Sequence, residues 1–300
     1  VSPTVRLGVV ILPEHGRTEW RRRWRRAEEL GFAHAWTYDH LAWRTLRDGP
    51  WHATMPMLAA AALETRTIGL GTLVASPNVR HPVTFAKDVM TLDELSAGRV
   101  IAGIGAGGTG WDATMLGQEP LAPAERSARF ADFVALADVL LREGKASYRG
   151  RYYKAVEARA LPGCVQRPRP PFAIAATGAR GMRLAARYGQ WWVTTGEGDT
   201  RLGLAEGAAV VRRQVDALET ACREEGRDPA TLGRIVLTGL ALEPGLGSAA
   251  AFAEARAAYA AAGVTDMVVH WPRPSPPFEG DEALFAAVVG TCIRSLPSEY

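Results

Sequence analysis

Cysteine is scarce and scattered in this chain. Cys164, Cys222 and Cys292 are far apart and odd in number, and no C-x-x-C pair occurs, so neither a disulfide frame nor a structural zinc site is indicated. Long apolar runs are missing as well. Nothing reaches the roughly 18 consecutive apolar residues of a membrane helix, and no signal peptide is recognisable, so a soluble, cytoplasmic protein without a membrane partner is expected. Charge of one sign is barely in excess, with 35 Lys and Arg against 32 Asp and Glu and a net charge of +3. The arginines that do cluster (Arg17, Arg21, Arg22, Arg23, Arg25, Arg26) have Glu19, Glu28 and Glu29 beside them at helical spacing. That pattern is a solvated, ion-paired helix face, not a nucleic-acid surface. Also absent are a G-x-S-x-G elbow, an H-E-x-x-H pair and a Walker lysine, which removes the common hydrolase, zinc-protease and nucleotide-triphosphate signatures.

What is present is ample apolar material, 47% of 300 residues, arranged in strict alternation. Val5–Leu12, Ala33–Tyr38, Ile68–Ala75 and Val100–Gly105 read as buried, parallel-type strands. Helical patterns over Thr18–Leu30, Met55–Glu64 and Pro82–Leu95 separate them. A glycine-rich loop, Ala106–Pro123, precedes a helix over Ala124–Glu143. The segment 144–171, with a small hairpin at Tyr148–Lys154 and many prolines, reads as an excursion from the main sheet. Alternation resumes with strands Phe172–Ala176, Trp191–Thr195, Arg234–Ala241 and Asp266–His270, with helices Ala179–Tyr188, Leu202–Glu225, Ala249–Ala262 and Asp281–Ile293. Eight strand–helix units most simply close into one α/β domain over residues 1–300, a (β/α)8 TIM barrel with insertions after strand 4 and before strand 5.

In such a barrel the residues just past each strand form the active site. Asp39-His40, an acid and an imidazole flanked by Trp36, Tyr38 and Trp43, make a candidate proton-handling pair. Without a placed serine or cysteine they are not a hydrolase triad, and no metal site is indicated. Thr177-Gly178-Ala179-Arg180 opens a helix directly after a strand, where backbone N–H groups and roughly half a positive charge favour a phosphate. Gly103–Gly110, which holds Gly105, Ala106 and Gly107, superficially resembles a dinucleotide fingerprint but opens no helix, so a loop approaching a flat cofactor suits it better. Trp111 and His270 could line the pocket.

Four ordered motifs carry a family resemblance: R-L-G-V-V-I-L-P, E-L-G-F-A-H-A-W-T-Y-D-H, R-H-P-V-T-F-A-K-D-V-M-T-L-D-E-L-S-A-G-R-V-I-A-G-I-G-A-G, and A-A-T-G-A-R-G-M-R-L-A-A-R-Y-G-Q-W-W-V. Together they resemble the luciferase-like flavin- and deazaflavin-dependent oxidoreductases. The resemblance implies a barrel, often a homodimer, that holds a flavin-type ring at the strand ends. It implies a non-proline cis peptide near Val74-Ala75-Ser76. It also implies a phosphate region at Ala175, Ala176, Thr177, Gly178 and Ala179 with Thr194 and Thr195. Asp39-His40, where FMN-using members often carry Glu-His, tilts the expected cofactor to coenzyme F420, with FMN as the alternative. Asp39 is then expected to anchor the cofactor, His40 to stand at the reacting centre, and Trp36, Trp43 and Trp111 to wall the pocket. Sugar-phosphate dehydrogenases of this family use an acid in the loop after strand 4. Here that loop reads A-G-G-T-G-W-D without glutamate, so a different small-molecule or natural-product substrate is expected. An FMNH2-dependent monooxygenase and a non-catalytic flavin-binding barrel are the alternatives.

Overall fold

The computed structural model describes residues 5–198 and 200–294; the ends of the expected 1–300 domain lie outside these. Eight parallel strands close into a barrel: β1 (Arg6–Val10), β2 (His34–Thr37), β3 (Gly69–Thr72), β4 (Val100–Gly105), β7 (Phe172–Ala175), β8 (Trp191–Thr194), β9 (Gly233–Leu237) and β10 (Asp266–His270). The ring closes where β1 pairs with both β2 and β10, Val10 lying opposite Trp36 and His270. Each strand is followed by a helix: α1 (Arg17–Leu30), α2 (Thr54–Glu64), α3 (Pro82–Leu95), α4 (Pro123–Glu143), α5 (Ala179–Tyr188), α6 (Leu204–Glu224), α7 (Ala249–Ala261) and α8 (Glu282–Arg294). This is the expected (β/α)8 barrel, with its insertion between β4 and β7. That insertion carries an antiparallel hairpin, β5 (Lys145–Arg149) and β6 (Lys154–Arg159), longer than the sequence pattern suggests because the second strand runs on past Lys154.

Two apolar layers hold the barrel. Val9, Ile11, Leu70, Ile104, Phe172, Trp192 and Met267 face the helices, while Val10, Trp36, Ile101, Ala173, Val193, Ile235 and Val268 fill the interior. At about 1.5–3 kcal/mol for each fully buried large side chain, these layers fix which faces point inward. Helix ends follow local chemistry. Gly31, in the left-handed region, closes α1 through bonds to Ala27 and Glu28, and Pro82 behind the capping His81 opens α3.

Six of the eight expected barrel strands are shorter than predicted, and in two the cause is visible. The third ends at Thr72, and the non-proline cis peptide falls at Leu73–Val74, one bond before the expected stretch, with Ala75 rejoining the sheet beside Ile104. The seventh barrel strand ends at Leu237, because Gly239 turns back through a bond from its N–H to Leu242.

Candidate active site

All eight strands run the same way, so the residues after Thr37, Thr72, Gly105, Ala175, Thr194, Leu237 and His270 share one mouth. Asp39 and His40 leave β2 there, and their surroundings divide their roles. Asp39 is 2% exposed, and its carboxylate is closed by a two-pronged contact from Arg80, with Nε 2.9 Å from Oδ2 and Nη2 2.6 Å from Oδ1. A carboxylate paired so fully is a fastener between the loops after β2 and β3. Asp39 is expected from sequence to anchor the cofactor; what the structure shows of its side chain is this pairing with Arg80.

His40 keeps a 32% exposed side chain. Its Nδ1 bonds Oδ2 of Asp112, whose other oxygen accepts the Leu41 N–H at 2.7 Å. Trp51 Nε1 donates to the His40 carbonyl at 2.8 Å. An ionised carboxylate only accepts, so Nδ1 carries the hydrogen and Nε2 is left to give or take a proton. The loop after β4 lacks glutamate, as its sequence reads, but its Asp112 reaches the imidazole. The signal was the Trp111-Asp112 pair inside an unusually long loop. Trp111, 44% exposed, carries the Arg47 guanidinium 4.2 Å above its ring, a second tie between the two loops at the rim.

The aromatic wall differs from expectation in one member. Trp43 stands at the mouth, packed on Tyr38 at 5.2 Å. Trp36 is fully buried inside the barrel, its indole N–H donating to His34 Nδ1 at 2.6 Å, so it belongs to the floor and walls no pocket. That bond fixes the His34 hydrogen on Nε2, facing Asp266 at 3.1 Å. His270 is buried beneath Phe278, with Nε2 2.6 Å from the Tyr38 hydroxyl. Burial holds its imidazole neutral, lowering it to about 3, and pushes the Tyr38 phenol up. This pair is a neutral hydrogen-bonded wall.

The glycine loop packs against the segment after β3. A side chain at Gly105 would meet Val74 at 2.6 Å, and one at Gly107, at φ 77°, would meet Asn78 at 2.7 Å. Asn78 in turn donates to the Gly108 carbonyl at 2.9 Å and accepts from Arg129. Ala75 and Ser76 are buried and Ala106 half-buried under this contact.

Across the mouth, Ala175 and Ala176 are half-buried, and Thr177, Gly178, Ala179 and Arg180 are exposed. Gly178 begins α5 without a side-chain cap, and a Cβ added there would meet open space. Thr177 and Thr195 line a cavity of about 400 Å³ with Glu197 and Arg213, which pair at 3.7 Å; sequence reasoning missed Arg213 because it lies on α6, remote in the chain. Thr194 is spent otherwise: its hydroxyl bonds Gln214 at 2.6 Å and the Gly196 N–H at 3.0 Å, so it shapes the turn. Arg180 lines the groove between α4 and α5 beside Ser127 and Arg183. An uncapped helix N-terminus and two hydroxyls beside this cavity are chemistry that suits a phosphate group, while the Arg213 charge is shared with Glu197.

A closed parallel barrel with an imidazole–carboxylate pair at the strand ends defines a (β/α)8 barrel with a candidate active site at its mouth. The family model described as luciferase-like monooxygenase matches residues 5–281, and the chain belongs to that family. It is 37% identical over 204 residues to an F420-dependent glucose-6-phosphate dehydrogenase of Beutenbergia cavernae, covering 64% of this chain and 59% of that protein. It is 29% identical over 244 residues to an F420-dependent hydroxymycolic acid dehydrogenase of Mycobacterium tuberculosis, covering 76% and 60%. The chain thus spans about 60% of the length of these curated relatives. Its fold is similar to an F420-dependent secondary alcohol dehydrogenase solved with an F420-acetone adduct, with a TM-score of 0.80 at 17% identity over 97% of this chain and 98% of that one. It is also similar to the coenzyme F420-dependent tetrahydromethanopterin reductase of Methanopyrus kandleri, with a TM-score of 0.75 at 18% identity over 95% and 97%. At such identities the structural likeness speaks for the fold alone.

Proposed function

We propose that this chain is a coenzyme F420-dependent oxidoreductase acting on an activated C=O, C=C or C=N group of a small or natural-product substrate. The observation that carries the reading is the His40–Asp112 pair, assembled from two loops at the barrel mouth across from the uncapped start of α5. The names of the sequence relatives support the cofactor.

Thr177, Thr195 and the first N–H groups of α5 would hold the phosphate, with Arg213 turning to it from its exposed pairing with Glu197. The Leu73–Val74 turn and Gly105–Gly107 would back the ring. When bound, the deazaflavin supplies or receives the hydride, and the protein's share is placement and proton control. In the reducing direction His40 delivers a proton from Nε2 to the substrate atom that gains charge. Asp112, at Nδ1, fixes the ring orientation and stabilises its charged form. In the oxidising direction Nε2 accepts the hydroxyl proton. Arg80 acts one step back, holding Asp39 and with it the strand end that carries His40. A homodimer is part of the same reading, and sedimentation of the purified chain reads it directly.

The test is titration of the purified protein with F420 and with FMN, followed by turnover. F420 is expected to bind at least about tenfold more tightly than FMN. Tight binding of FMN alone overturns the cofactor assignment. Asp112→Asn is expected to lower kcat by about 10²-fold while F420 affinity stays unchanged. Unchanged kcat in that variant removes the imidazole–carboxylate pair from the chemistry.

A further inference from the structure

A column of four stacked rings stands on the β2–β10 side of the mouth. Trp51 lies 6.4 Å from Trp43, Trp43 lies 5.8 Å from Phe278, and Phe278 covers His270 at 3.5 Å with 6° between the planes. Tyr38 meets Trp43, His270 and His40 from the side, at 5.2, 5.7 and 5.8 Å. The column is therefore about two ring contacts from the imidazole that handles the proton.

Phe278 is held there against its own backbone preference. It has φ 65°, a region non-glycine residues rarely adopt. The loop around it is folded over one buried guanidinium. Arg273 Nη1 donates to the carbonyls of Ser275, Pro276 and Pro277, and its other nitrogens grip Glu14 at 2.7 and 2.9 Å. The Arg273 N–H bonds the Phe278 carbonyl at 2.9 Å. So many bonds spent on placing one phenyl ring imply that its position matters.

Beside Phe278 and His270 opens a cavity of about 600 Å³, within the range of small-molecule sites. Pro272, Pro277, Leu246 and Leu284 supply apolar walls. The charged lining is unsuited to an anion. Arg201 is paired to Glu243 at 2.8 Å, and Glu279 and Asp281 are further carboxylates on the lining. His270 contributes a neutral ring.

We propose that this cavity receives the uncharged, apolar, non-reacting part of the substrate, and that Phe278 sets how far that part extends from His40. The inference rests on the reading of His40 as the reacting centre. It narrows the substrate class to an apolar carbonyl or conjugated compound and disfavours phosphorylated ones.

The probe is 2-acetylnaphthalene, an uncharged ketone, with binding followed by quenching of tryptophan fluorescence and by calorimetry. F420 affinity is measured separately on each protein. Leu246→Asp puts a charge on the apolar wall and is expected to weaken the ketone by about tenfold or more, with F420 affinity and thermal midpoint unchanged. Phe278→Gly suits the backbone angle and removes the partition. It is expected to shift preference toward the longer 2-acetylanthracene, through KM and not kcat. Unchanged ketone affinity in Leu246→Asp, or tighter binding of glucose 6-phosphate than of the ketone to the unsubstituted protein, overturns the proposal. Failure of F420 to bind, with the Leu246→Asp effect intact, overturns the redox reading and leaves the apolar cavity standing.

Discussion

Asp39 and Arg80 show how one contact can decide what a residue does. Beside an imidazole, a free carboxylate would be a candidate acid or base. Buried and gripped by a guanidinium, it holds two loops at fixed separation instead. Arg80→Met removes the charge while keeping much of the stem, and leaves a carboxylate buried without its partner. The expected loss is about 3–5 kcal/mol, measured by urea unfolding, and Asp39→Asn in the same chain should recover part of it. Equal stability of Arg80→Met and the unsubstituted protein would show that the pair does not hold the loops. The neighbouring His40 was legible from sequence as a candidate. Its partner was not, because Asp112 is 72 residues further along and only the barrel brings the two loops together.

Among the elements, α1 does more than cover β1. Glu28, near its C-terminus, turns one carboxylate oxygen onto the segment entering β3, where it accepts the N–H groups of Arg66, Thr67 and Ile68 at 2.9, 2.6 and 3.0 Å and the Thr67 hydroxyl at 3.0 Å. Burial alone would push this carboxyl up, but these donors outweigh it and hold it at about 2, below its ordinary 4.5. A depressed carboxyl stabilises the fold fully above the unfolded value. Its contribution is therefore complete above about pH 4.5 and fades as pH falls toward 2. Glu28→Ala should cost about 1–2 kcal/mol at neutral pH and markedly less near pH 3, read from thermal midpoints across that range. A pH-independent difference would assign the loss to packing. Sequence placed Glu28 on a solvated helix face; its anchoring role depends on where the turn before β3 passes.

At the scale of the whole molecule, the barrel mouth is organised by uncharged rings, and this has a consequence for acid stability. His270 is buried and held neutral, at about 3 against an ordinary 6.5. The unfolded chain therefore binds a proton that the folded one refuses between these values. Stability is flat above about pH 6.5 on this account and falls below it, by up to about 1.4 kcal/mol per pH unit. His270→Gln can keep the contact to Tyr38 without titrating, so its stability should decline less steeply between pH 6.5 and 4. Parallel profiles for the two proteins would remove His270 as the cause.

The alternation of apolar strands with amphipathic helices determined the closed barrel, since right-handed crossovers over eight units leave few other ways to bury both faces of each strand. It also determined which strand ends carry Asp39, His40, Thr177 and Thr195, because a shared strand direction puts them on one rim. Side-chain partnership was decided only in three dimensions. Trp36 faces the floor and Trp43 the mouth, Thr194 is spent on a turn, Arg213 arrives from α6, and Asp112 closes on His40 across two loops. Local pattern sets which way a residue points from its own element. What it meets depends on elements distant in the chain, and their spacing is set by packing of the whole barrel.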